Sequence, residues 1–353
     1  MPQTQRRRRI RRSDCAAPGL GRVKRGRGFG YVDESGNAIR DRDVLERVRS
    51  LAIPPAWQQV WICDDPFGHL QATGIDAAGR KQYLYHPRWR EHRDRKKFRR
   101  MERFGKSLPK LRRRIAADLP GDRLGHEQVL ACAVRLLDVG LFRIGSEQYA
   151  DDDGGLGLAT LHKEHVSVSD REAQFTYPAK GGVQRTQTIR DPGSLEVIRA
   201  LRRRRSGGPQ LLAYRQGRRW SELRSEEIND YIKQWLGEDF SAKDFRTWNA
   251  TVLAAVSLAS EGRETDSKTA RKRAIDRSVK AVAELLGNTP TVARRSYIDP
   301  RVFDRYQSGW TIAPALHGIK RLDPADDRAR ANIERAVLDL LADETDSPAL
   351  ERD

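Results

Sequence analysis

The sequence predicts an α+β fold: a small β-rich amino-terminal domain followed by a mainly α-helical domain that contains a small β-hairpin or sheet. Between about residues 27 and 86, short apolar runs alternate with turn signals, as in GFGYVDESGNAI and HLQATGIDAAGRKQYLYH. This alternation is typical of a twisted, mainly antiparallel sheet, and a helix is expected within it at about 41–51. From residue 126 onward, apolar residues recur at helical spacing, with a β-like interlude at about 160–190 and a last amphipathic helix at 324–344.

The chain is strongly basic and should bind a polyanion. Among its 353 residues, 67 are Lys or Arg and 49 are Asp or Glu, which gives a formal net charge of +18. Such an excess predicts nucleic acid as the first partner and an anionic membrane as the second. No apolar run approaches the length of a membrane span, and no signal-peptide pattern follows the basic start MPQTQRRRRIRRS, so a membrane partner is the weaker interpretation.

Several familiar chemistries are disfavoured by the sequence. Its three cysteines, Cys15, Cys63 and Cys132, lie far apart with no CxxC pair, so neither a disulfide framework nor a zinc site is expected. This cysteine usage is typical of a reducing compartment. Because no GxxxxGK[ST] loop is present, nothing indicates that ATP drives the chemistry, and we expect no cofactor and no metal.

Composition divides the chain into four segments. We expect a basic disordered arm over residues 1–25, a β-rich domain over 26–90, a helical domain over 91–321, and a carboxy-terminal helix with a frayed acidic tail over 322–353. The run from 90 to 114 carries 13 basic and 3 acidic residues. Such a run is usually a solvated helix face, and this one also lies where a hinge between two DNA-binding halves would lie.

Helix signals in the carboxy-terminal half frame one tyrosine, Tyr297. A helix with an apolar stripe should end at Gly287, and Thr289 followed by proline has the form of a helix cap and first residue. Asp299, again followed by proline, should start the next helix. Tyr297 therefore lies on a short helix between them, where it is either a buried aromatic that closes a core or a phenol that attacks a phosphate.

One stretch matches most of an unrelated motif. Residues 27–34, RGFGYVDE, match the first seven positions of the RNA-recognition signature K/R-G-F/Y-G/A-F-V-x-F/Y, allowing Tyr at the fifth. Glu34 occupies the last position, where an aromatic residue is required. In addition, only a basic arm precedes the stretch, instead of a strand, a helix and another strand. We therefore expect a glycine-flanked strand that opens a different sheet.

Five short stretches in the helical half form one pattern. They are LFRIGSEQYA with Arg143, FTYPAKGGVQ with Lys180, SAKDFRTWNAT with Arg246, LLGNTP with Asn288 and RRSYIDP with Tyr297. Each has an ordinary interpretation by itself, since helical arginines mostly form surface ion pairs and a lysine at a hairpin tip is mostly solvated. Their occurrence together, in this order, favours a catalytic set.

With these residues, the chain resembles a type IB DNA topoisomerase of the compact, poxvirus-like kind that is also found in bacteria. The resemblance runs from about residue 22 to 310, and its most specific parts are FRIG, GLATLHKEHV followed by AKGG, KDFRTWNAT and NTPTVARRSYIDP. In the amino-terminal half, IPPAW and HLQATGIDAAGRKQYLYH fit the same family. Tyrosine recombinases share the catalytic residues but not this β-rich half. The resemblance implies a tyrosine-recombinase-like catalytic domain and two lobes that form a clamp around duplex DNA.

The resemblance also implies a role for each member of the set. Tyr297 would attack phosphorus, free the 5′-hydroxyl and leave a 3′-phosphotyrosyl link that stores the energy of the broken strand. Arg143 and Arg246 would grip the non-bridging oxygens, and Lys180 would protonate the departing 5′ oxygen. Asn288 departs from the poxvirus-type pattern, which has histidine there. Its amide can make the same neutral hydrogen bond but cannot become cationic, so activity should be less sensitive to pH near neutrality.

Further DNA contacts follow from the same resemblance. The residues concerned are Lys243, Arg294, Arg295, Gln82, Tyr83 and Tyr85. Lys243 matches a phosphate-contacting lysine that would assist proton transfer, and the two arginines are expected to contact backbone phosphates or form ion pairs rather than to catalyse. Gln82, Tyr83 and Tyr85 match residues that contact the major groove, where glutamine suits adenine edges. The alternative for each tyrosine is packing within a small sheet.

The expected function is ATP-independent relaxation of supercoiled DNA by transient cleavage and resealing of one strand. We expect double-stranded DNA as the partner, no membrane association, a monomer, and a cytoplasmic, nucleoid-associated location. A first alternative is a tyrosine site-specific recombinase, which would need synapsis of two sites and usually an exchanged carboxy-terminal segment. A second alternative is a DNA-binding protein with a degenerate active site, whose signature would be the loss of catalytic groups.

Overall fold

The structure is a computed structural model that describes residues 9–145, 155–261, 267–319 and 323–352. The chain divides into two compact units, the first ending at Arg99 and the second beginning at Arg100. This boundary lies later than the one expected after residue 90. The difference arises because one continuous helix, Pro87–Asp118, contributes residues to both units.

The first unit is a five-stranded antiparallel sheet with one helix packed on it. Its elements are β1 (Leu20–Arg25), β2 (Gly28–Val32), α1 (Arg42–Ser50), β3 (Gln58–Ile62), β4 (Leu70–Ile75) and β5 (Lys81–Tyr85). The strand order is β2-β1-β3-β4-β5, and every neighbouring pair is antiparallel. Val48 of α1 belongs to one buried cluster with Val60, Ile62 and Ala72 of the sheet, and the Asp41 side chain caps the helix. The predicted sheet and the helix within it are confirmed.

Part of the expected disordered arm belongs to this sheet. Residues 20–25 form β1, which pairs with β2 on one side and with β3 on the other. Upstream, the backbone N–H of Arg11 donates to the carbonyl of Phe67 at 3.0 Å, and the Ser13 hydroxyl donates to the carbonyl of Leu70 at 2.9 Å. The prediction of disorder, which rested on the high content of basic residues, is therefore wrong for these residues. Their backbone hydrogen bonds outweigh the repulsion between the basic side chains. Residues 1–8 lie outside the described part of the chain.

The stretch that matches the RNA-recognition signature forms β2. Among the described strands, β2 pairs with β1 alone and lies at the edge of the sheet. The signature belongs on an inner strand, so the expectation of a glycine-flanked strand in a different sheet is confirmed. The expectation that this strand opens the sheet is wrong, because β1 precedes it in the chain and pairs with it.

The basic run lies on one long helix, α2 (Pro87–Asp118). Within the second unit, Met101, Phe104 and Leu108 of α2 are buried at helical spacing, and most basic side chains of the run are exposed. The Phe104 ring packs edge-on against that of Phe245, with 5.0 Å between centroids. The run is therefore the solvated face of an amphipathic helix.

The second unit is mainly helical. Its further helices are α3 (His126–Gly140), α4 (Pro192–Arg203), α5 (Ser225–Leu236), α6 (Ala242–Ala259), α7 (Lys268–Leu286), α8 (Pro290–Ser296), α9 (Pro300–Gln307) and α10 (Asp327–Ala342). Its strands are β6 (Val166–Val168), β7 (Ala173–Pro178), β8 (Gln184–Ile189), β9 (Ala213–Gln216), β10 (Arg219–Glu222), β11 (Trp310–Thr311) and β12 (Glu351–Arg352). Buried residues run along almost the whole length of α3 and α6, which marks these two helices as the centre of the unit.

The predicted β-like interlude is an antiparallel three-stranded sheet in the order β6-β7-β8. The β7–β8 turn contains Gly181 and Gly182 at φ +80° and +72°, backbone conformations that favour glycine. The register of the hairpin places Tyr177 opposite Arg185. Lys180 therefore lies at the tip of a hairpin whose two strands are fixed to each other near their turn.

The carboxy-terminal tail is paired rather than frayed. Helix α10 falls within the range expected for the last helix, and β12 after it pairs antiparallel with β11. The Arg352 guanidinium lies 5.9 Å from the centroid of the Trp310 ring. The prediction of a frayed tail is wrong for these residues, because the pairing joins positions that are far apart in the sequence.

A buried ion cluster joins α10 to α2 and α3. The Arg112 guanidinium donates to both carboxylate oxygens of Asp138, each at 2.9 Å, and to those of Glu334 at 2.7 and 2.8 Å. Arg330 also donates to Asp138 at 2.7 Å. Burial by itself would raise the pKa of Asp138, but Arg112 and Arg330 outweigh it and hold that pKa well below its usual range. Each buried charge thus has partners on fixed elements, the condition under which such charges are tolerated.

Replacement of the central carboxylate, Asp138→Ala, should destabilise the protein by about 3–5 kcal/mol, because it leaves buried guanidinium groups short of a partner. Since the folded pKa of Asp138 lies below the unfolded value of about 3.9, its contribution is fully present above that pH. It is lost as the pH falls through the folded pKa. Urea unfolding of the full chain at pH 7 measures the effect.

The matched control is Arg103→Ala, which removes an exposed ion pair of 2.9 Å with Asp239. It should leave the free energy of unfolding nearly unchanged. A loss for Asp138→Ala no larger than that of the control would contradict the assignment.

Candidate active site

Arg143 lies in the loop that follows α3. The helix ends at Gly140, and Leu141 turns the chain with a left-handed φ of +59°. Gly157 lies so close to Gly145 that a Cβ on Gly157 would overlap the backbone of Gly145, so glycine is required at position 157. One guanidinium nitrogen of Arg143 reaches the end of α7.

The end of α7 holds Asn288. Gly287 adopts φ +61° after the last turn, and the backbone N–H of Asn288 donates to the carbonyl of Ala283 at 2.9 Å, as in a glycine-terminated helix. Arg143 Nη2 donates to the Asn288 side-chain oxygen at 2.7 Å and to the Gly287 carbonyl at 3.0 Å. The side-chain nitrogen of Asn288 is buried and has no partner among the described residues. The predicted helix stop therefore also presents an unused hydrogen-bond donor.

Arg246 projects from the first half of α6 and is 4% exposed. Its guanidinium donates to the carbonyl of Leu141 and, at 2.8 Å, to that of Leu286, while its Nε is buried without a partner among the described residues. Burial lowers the pKa of Arg246 to about 10; Tyr297 opposes this shift and Arg143 adds to it. The group is still a cation at neutral pH.

Tyr297 lies directly under this cation. The Cζ atom of Arg246 is 5.3 Å from the centroid of the Tyr297 ring. Helix α8 begins after Thr289, whose hydroxyl accepts from the N–H of Val292 at 3.3 Å, and it ends before Tyr297. The next residues are anchored because the N–H of Asp299 donates to a hydroxyl on α6 at 3.1 Å. The ring is half-buried beside an arginine, which favours the interpretation of Tyr297 as a reactive phenol over that of a buried aromatic that closes a core.

Lys180 is exposed at the tip of the β7–β8 hairpin. The hairpin is fixed to the chain near Arg143, because the N–H of Leu156 donates to the carbonyl of Pro178 at 2.9 Å. A Cβ on Gly155 would also crowd the Lys180 backbone. The contacts among the described residues join Arg143, Arg246, Asn288 and Tyr297, and they do not include the Lys180 side chain.

The other predicted phosphate contacts lie outside this cluster. Lys243 is exposed in the first turn of α6, one helical turn before Arg246. Arg294 forms an exposed ion pair of 3.3 Å with Asp276, as one of its two interpretations predicts. Arg295 is exposed.

Two residues that the sequence reasoning did not select also line the cluster. Arg185 and Tyr177 border one narrow cleft together with Arg143 and Arg246. Tyr177 is 2% exposed, and its hydroxyl donates to the side-chain oxygen of Gln187 at 2.5 Å. The hairpin register, centred on Gly181, places Tyr177 opposite Arg185, but it does not indicate what the two residues contact.

In the first unit, β5 carries the predicted groove-contacting residues. Tyr83 and Tyr85 are 46% and 39% exposed, and their rings stack with 6.2 Å between centroids. They share one strand face, as their spacing predicts, and that face is open rather than packed. Gln82 is half-buried on the opposite face, where its amide donates to Asp76 at 2.8 Å.

One group of side chains has the composition of a metal site. Ligand atoms of His162, Glu164 and His165 lie within 4.8 Å of one another. However, the backbone N–H of His162 donates to Nδ1 of His165 at 3.0 Å. That bond places the ring proton on Nε2, the atom that would face the metal, so the arrangement does not favour a metal.

Comparison with known proteins shows the family of the chain. A family model described as the catalytic core of eukaryotic DNA topoisomerase I matches residues 86–315. A second, described as the N-terminal domain of bacterial DNA topoisomerase IB, matches residues 28–76. The chain belongs to the type IB DNA topoisomerase family.

Two viral relatives each align with at least three quarters of this topoisomerase. It is 30% identical to DNA topoisomerase 1B of Acanthamoeba polyphaga mimivirus over 297 residues, which span 82% of this chain and 88% of that protein. It is 20% identical to DNA topoisomerase 1B of vaccinia virus strain Western Reserve, over 75% of this chain and 82% of the viral one. A further match, 25% identical, is DNA topoisomerase 1 of Schizosaccharomyces pombe, over 47% of this chain and 19% of the yeast protein. Among the described residues, no helix has the length and apolar character that crossing a membrane requires.

Substitution of the helix-terminating glycine, Gly287→Ala, should reduce topoisomerase activity by more than its effect on stability explains. The added Cβ forces a left-handed alanine, which costs about 1–2 kcal/mol, and it also overlaps the Arg185 guanidinium. Paired measurements of urea unfolding and plasmid relaxation test this expectation.

The control is Gly217→Ala in the β9–β10 turn. Gly217 has nearly the same φ, +62°, but a Cβ there meets no atom within 4 Å. Both variants should lose similar stability, whereas only Gly287→Ala should lose activity, by about tenfold or more. Equal activity in the two variants would show that the end of α7 does not position the site.

Proposed function

We propose that this chain relaxes supercoiled DNA without ATP, through a transient 3′-phosphotyrosyl link to Tyr297. As a member of the type IB family it is a DNA topoisomerase, an isomerase that acts on DNA. The observation that carries the assignment of the nucleophile is the position of the Tyr297 ring, 5.3 Å from a buried guanidinium carbon. The same guanidinium donates to the carbonyl of Leu286 at the end of α7, where Asn288 lies and where Arg143 donates to its side-chain oxygen.

The proposed chemistry transfers the phosphoryl group of the scissile bond from the 5′ oxygen of the DNA to the Tyr297 oxygen. The Tyr297 hydroxyl loses its proton to water and its oxygen attacks phosphorus, while the bond from phosphorus to the 5′ oxygen breaks. Lys180 supplies the proton that the 5′ oxygen takes up and regains one from water. Resealing is the reverse reaction, with the 5′-hydroxyl as the attacking group. Because the phosphotyrosyl bond retains the energy of the broken phosphodiester bond, the cycle of cleavage and resealing needs no ATP.

Arg143 and Arg246 would bind the non-bridging oxygens of the phosphate. A forked, permanently charged donor neutralises the charge that develops in the transition state, and it does so most effectively in a site that excludes water. Two donors in the cluster are buried and unpartnered among the described residues: Nε of Arg246 and the side-chain nitrogen of Asn288. Buried donors without a partner are uncommon, and an incoming phosphate oxygen is a chemically suitable partner.

Double-stranded DNA is the partner that the charge and the family support. We infer that the stacked, exposed pair Tyr83 and Tyr85 contacts the DNA groove. Gln82 could contact a base only after its hydrogen bond to Asp76 is broken. Lys243, Arg294 and Arg295 are exposed and would add backbone-phosphate contacts. We further propose that the protein acts as a monomer and resides with the nucleoid.

The two alternative functions are less well supported. The match of residues 28–76 to a bacterial topoisomerase IB domain favours a topoisomerase over a recombinase, since recombinases share only the catalytic half. A degenerate binding protein should have lost catalytic groups, whereas Arg143, Arg246, Asn288 and Tyr297 lie together.

Replacement of the nucleophile, Tyr297→Phe, should abolish plasmid relaxation in EDTA without ATP, because it removes the attacking oxygen and little else. Wild-type protein should relax the plasmid under the same conditions. Denaturant trapping of wild type on labelled duplex should give an adduct at the 3′ phosphate, mapped by mass spectrometry to Tyr297.

The matched control is Tyr214→Phe, which removes a phenol hydroxyl 3.4 Å from Glu227, outside the cleft. It should relax plasmid at close to the wild-type rate. A Tyr297→Phe protein that relaxes normally, or an adduct through another tyrosine or to a 5′ end, would overturn the mechanism.

Exchange of the amide for an imidazole, Asn288→His, should introduce a pH dependence. The asparagine amide does not titrate, and the pKa of Arg246, about 10, keeps that group charged near neutrality. A histidine has a reference pKa of about 6.5, and its cationic form donates a stronger hydrogen bond to phosphate. The ratio of the variant's single-turnover cleavage rate to the wild-type rate should therefore fall as the pH rises through about 6.5.

The ratio cancels any titration that the two proteins share. We expect a change of about threefold to tenfold between pH 5.5 and 8.5. A ratio that stays constant over this range would mean that residue 288 does not contact the phosphate.

A further inference from the structure

Three arginines converge on the last carbonyls of α7. Arg185 donates to the carbonyl of Leu285 at 2.7 Å, Arg246 to that of Leu286 at 2.8 Å, and Arg143 to that of Gly287 at 3.0 Å. Arg143 and Arg246 have roles in the proposed mechanism. Arg185, which makes the same kind of contact one residue earlier, has none.

Arg185 connects two parts of the site. It lies on β8, five residues after Lys180 and on the same hairpin, directly opposite Tyr177. Its guanidinium covers Gly287 so closely that a Cβ on that glycine would overlap it. The hairpin that carries Lys180 is thereby attached to the helix end that carries Asn288.

The surroundings of Arg185 disfavour its charge. Burial lowers the pKa of Arg185, Tyr177 opposes that shift, and Arg143 lowers it further, so the protein environment as a whole disfavours the charge. Leu285 is 50% exposed, and water could satisfy a carbonyl at that exposed helix end. A third cation is thus held beside two others in surroundings that disfavour its charge, a combination that is typical of functional sites.

We propose that Arg185 is a positioning residue that holds the Lys180 hairpin against the end of α7, so that the lysine reaches the departing 5′ oxygen. The proposal rests on the proposed function, in which Lys180 is the general acid. A general acid acts only within hydrogen-bond reach of the atom that it protonates, and an error of about 1 Å can cost about a hundredfold in rate.

The test compares two leaving groups. Arg185→Met keeps most of the aliphatic part of the side chain and removes the guanidinium group. This variant is assayed for single-turnover cleavage of a duplex with an ordinary 5′ oxygen at the scissile bond. It is then assayed on the same duplex with sulfur in place of that bridging oxygen. A thiolate, whose conjugate acid has a pKa of about 8.5, leaves without a proton, so the sulfur substrate does not need the general acid.

With the oxygen substrate, Arg185→Met should be slowed by about 10- to 100-fold, and with the sulfur substrate its rate should lie within about threefold of wild type. Lys180→Ala should show the same rescue. Arg246→Ala, which lacks a phosphate-binding group, should stay slow on both substrates. Arg185→Lys keeps the charge but loses the guanidinium group. Its cleavage of the oxygen substrate should be slowed less than that of Arg185→Met, and the sulfur substrate should also restore its rate.

The matched control is Arg190→Met. Arg190 follows β8 on the same chain segment and forms an exposed ion pair of 2.8 Å with Glu172, so its variant should cleave both substrates at the wild-type rate. A defect of Arg185→Met that persists equally on sulfur, or no defect on oxygen, would overturn the positioning role. Failure of sulfur to rescue Lys180→Ala would instead overturn the general-acid assignment, and the positioning role with it.

Discussion

The site depends on the carboxy-terminal turn of α7. The last carbonyls of a helix lack partners within the helix, and together they carry about half a negative charge. Here that partial charge faces Arg143, Arg185 and Arg246, and no carboxylate of the described residues forms an ion pair with any of them. Three cations are thus held by dipoles that neutralise them only in part. A cluster built this way can still bind an anion, which in the proposed function is a DNA phosphate.

The same unit contains a second set of buried arginines with the opposite electrostatics. Arg112 and Arg330 are paired with Asp138 and Glu334, and those partners raise the pKa of Arg112 despite its burial. Burial with too little compensation lowers the pKa of Arg246. The charges of the first set are neutralised by carboxylates on neighbouring helices, whereas the charges of the second set remain available for binding an anion. Burial of arginine therefore does not by itself distinguish structure from function; the nature of the partner does.

Local signals carried most of what the sequence could predict. The cap at Thr289, the stop at Gly287 and the turn at Gly181-Gly182 each depend on neighbouring residues, and the structure confirms them. Pairings between distant residues were not predictable: β1 within the expected arm and β12 at the tail depend on strands far away in the sequence. Arg185 was missed for the same reason. Its importance arises from a helix one hundred positions later in the chain, and nothing in its own neighbourhood indicates that helix.

Asparagine at position 288 follows from the geometry of the helix end. Its backbone N–H is used to close the helix, so only the side chain remains to serve the site. The amide offers an acceptor, which Arg143 occupies at 2.7 Å, and a donor, which is unpartnered among the described residues. A neutral imidazole also offers one acceptor and one donor, so the two residue types can fill the same place. An aspartate could not, because it would neutralise Arg143 and present no donor to a phosphate. In the proposed mechanism, asparagine at this position therefore keeps both hydrogen-bonding functions of a neutral histidine, an acceptor for Arg143 and a donor for the phosphate, and lacks only the ability to titrate.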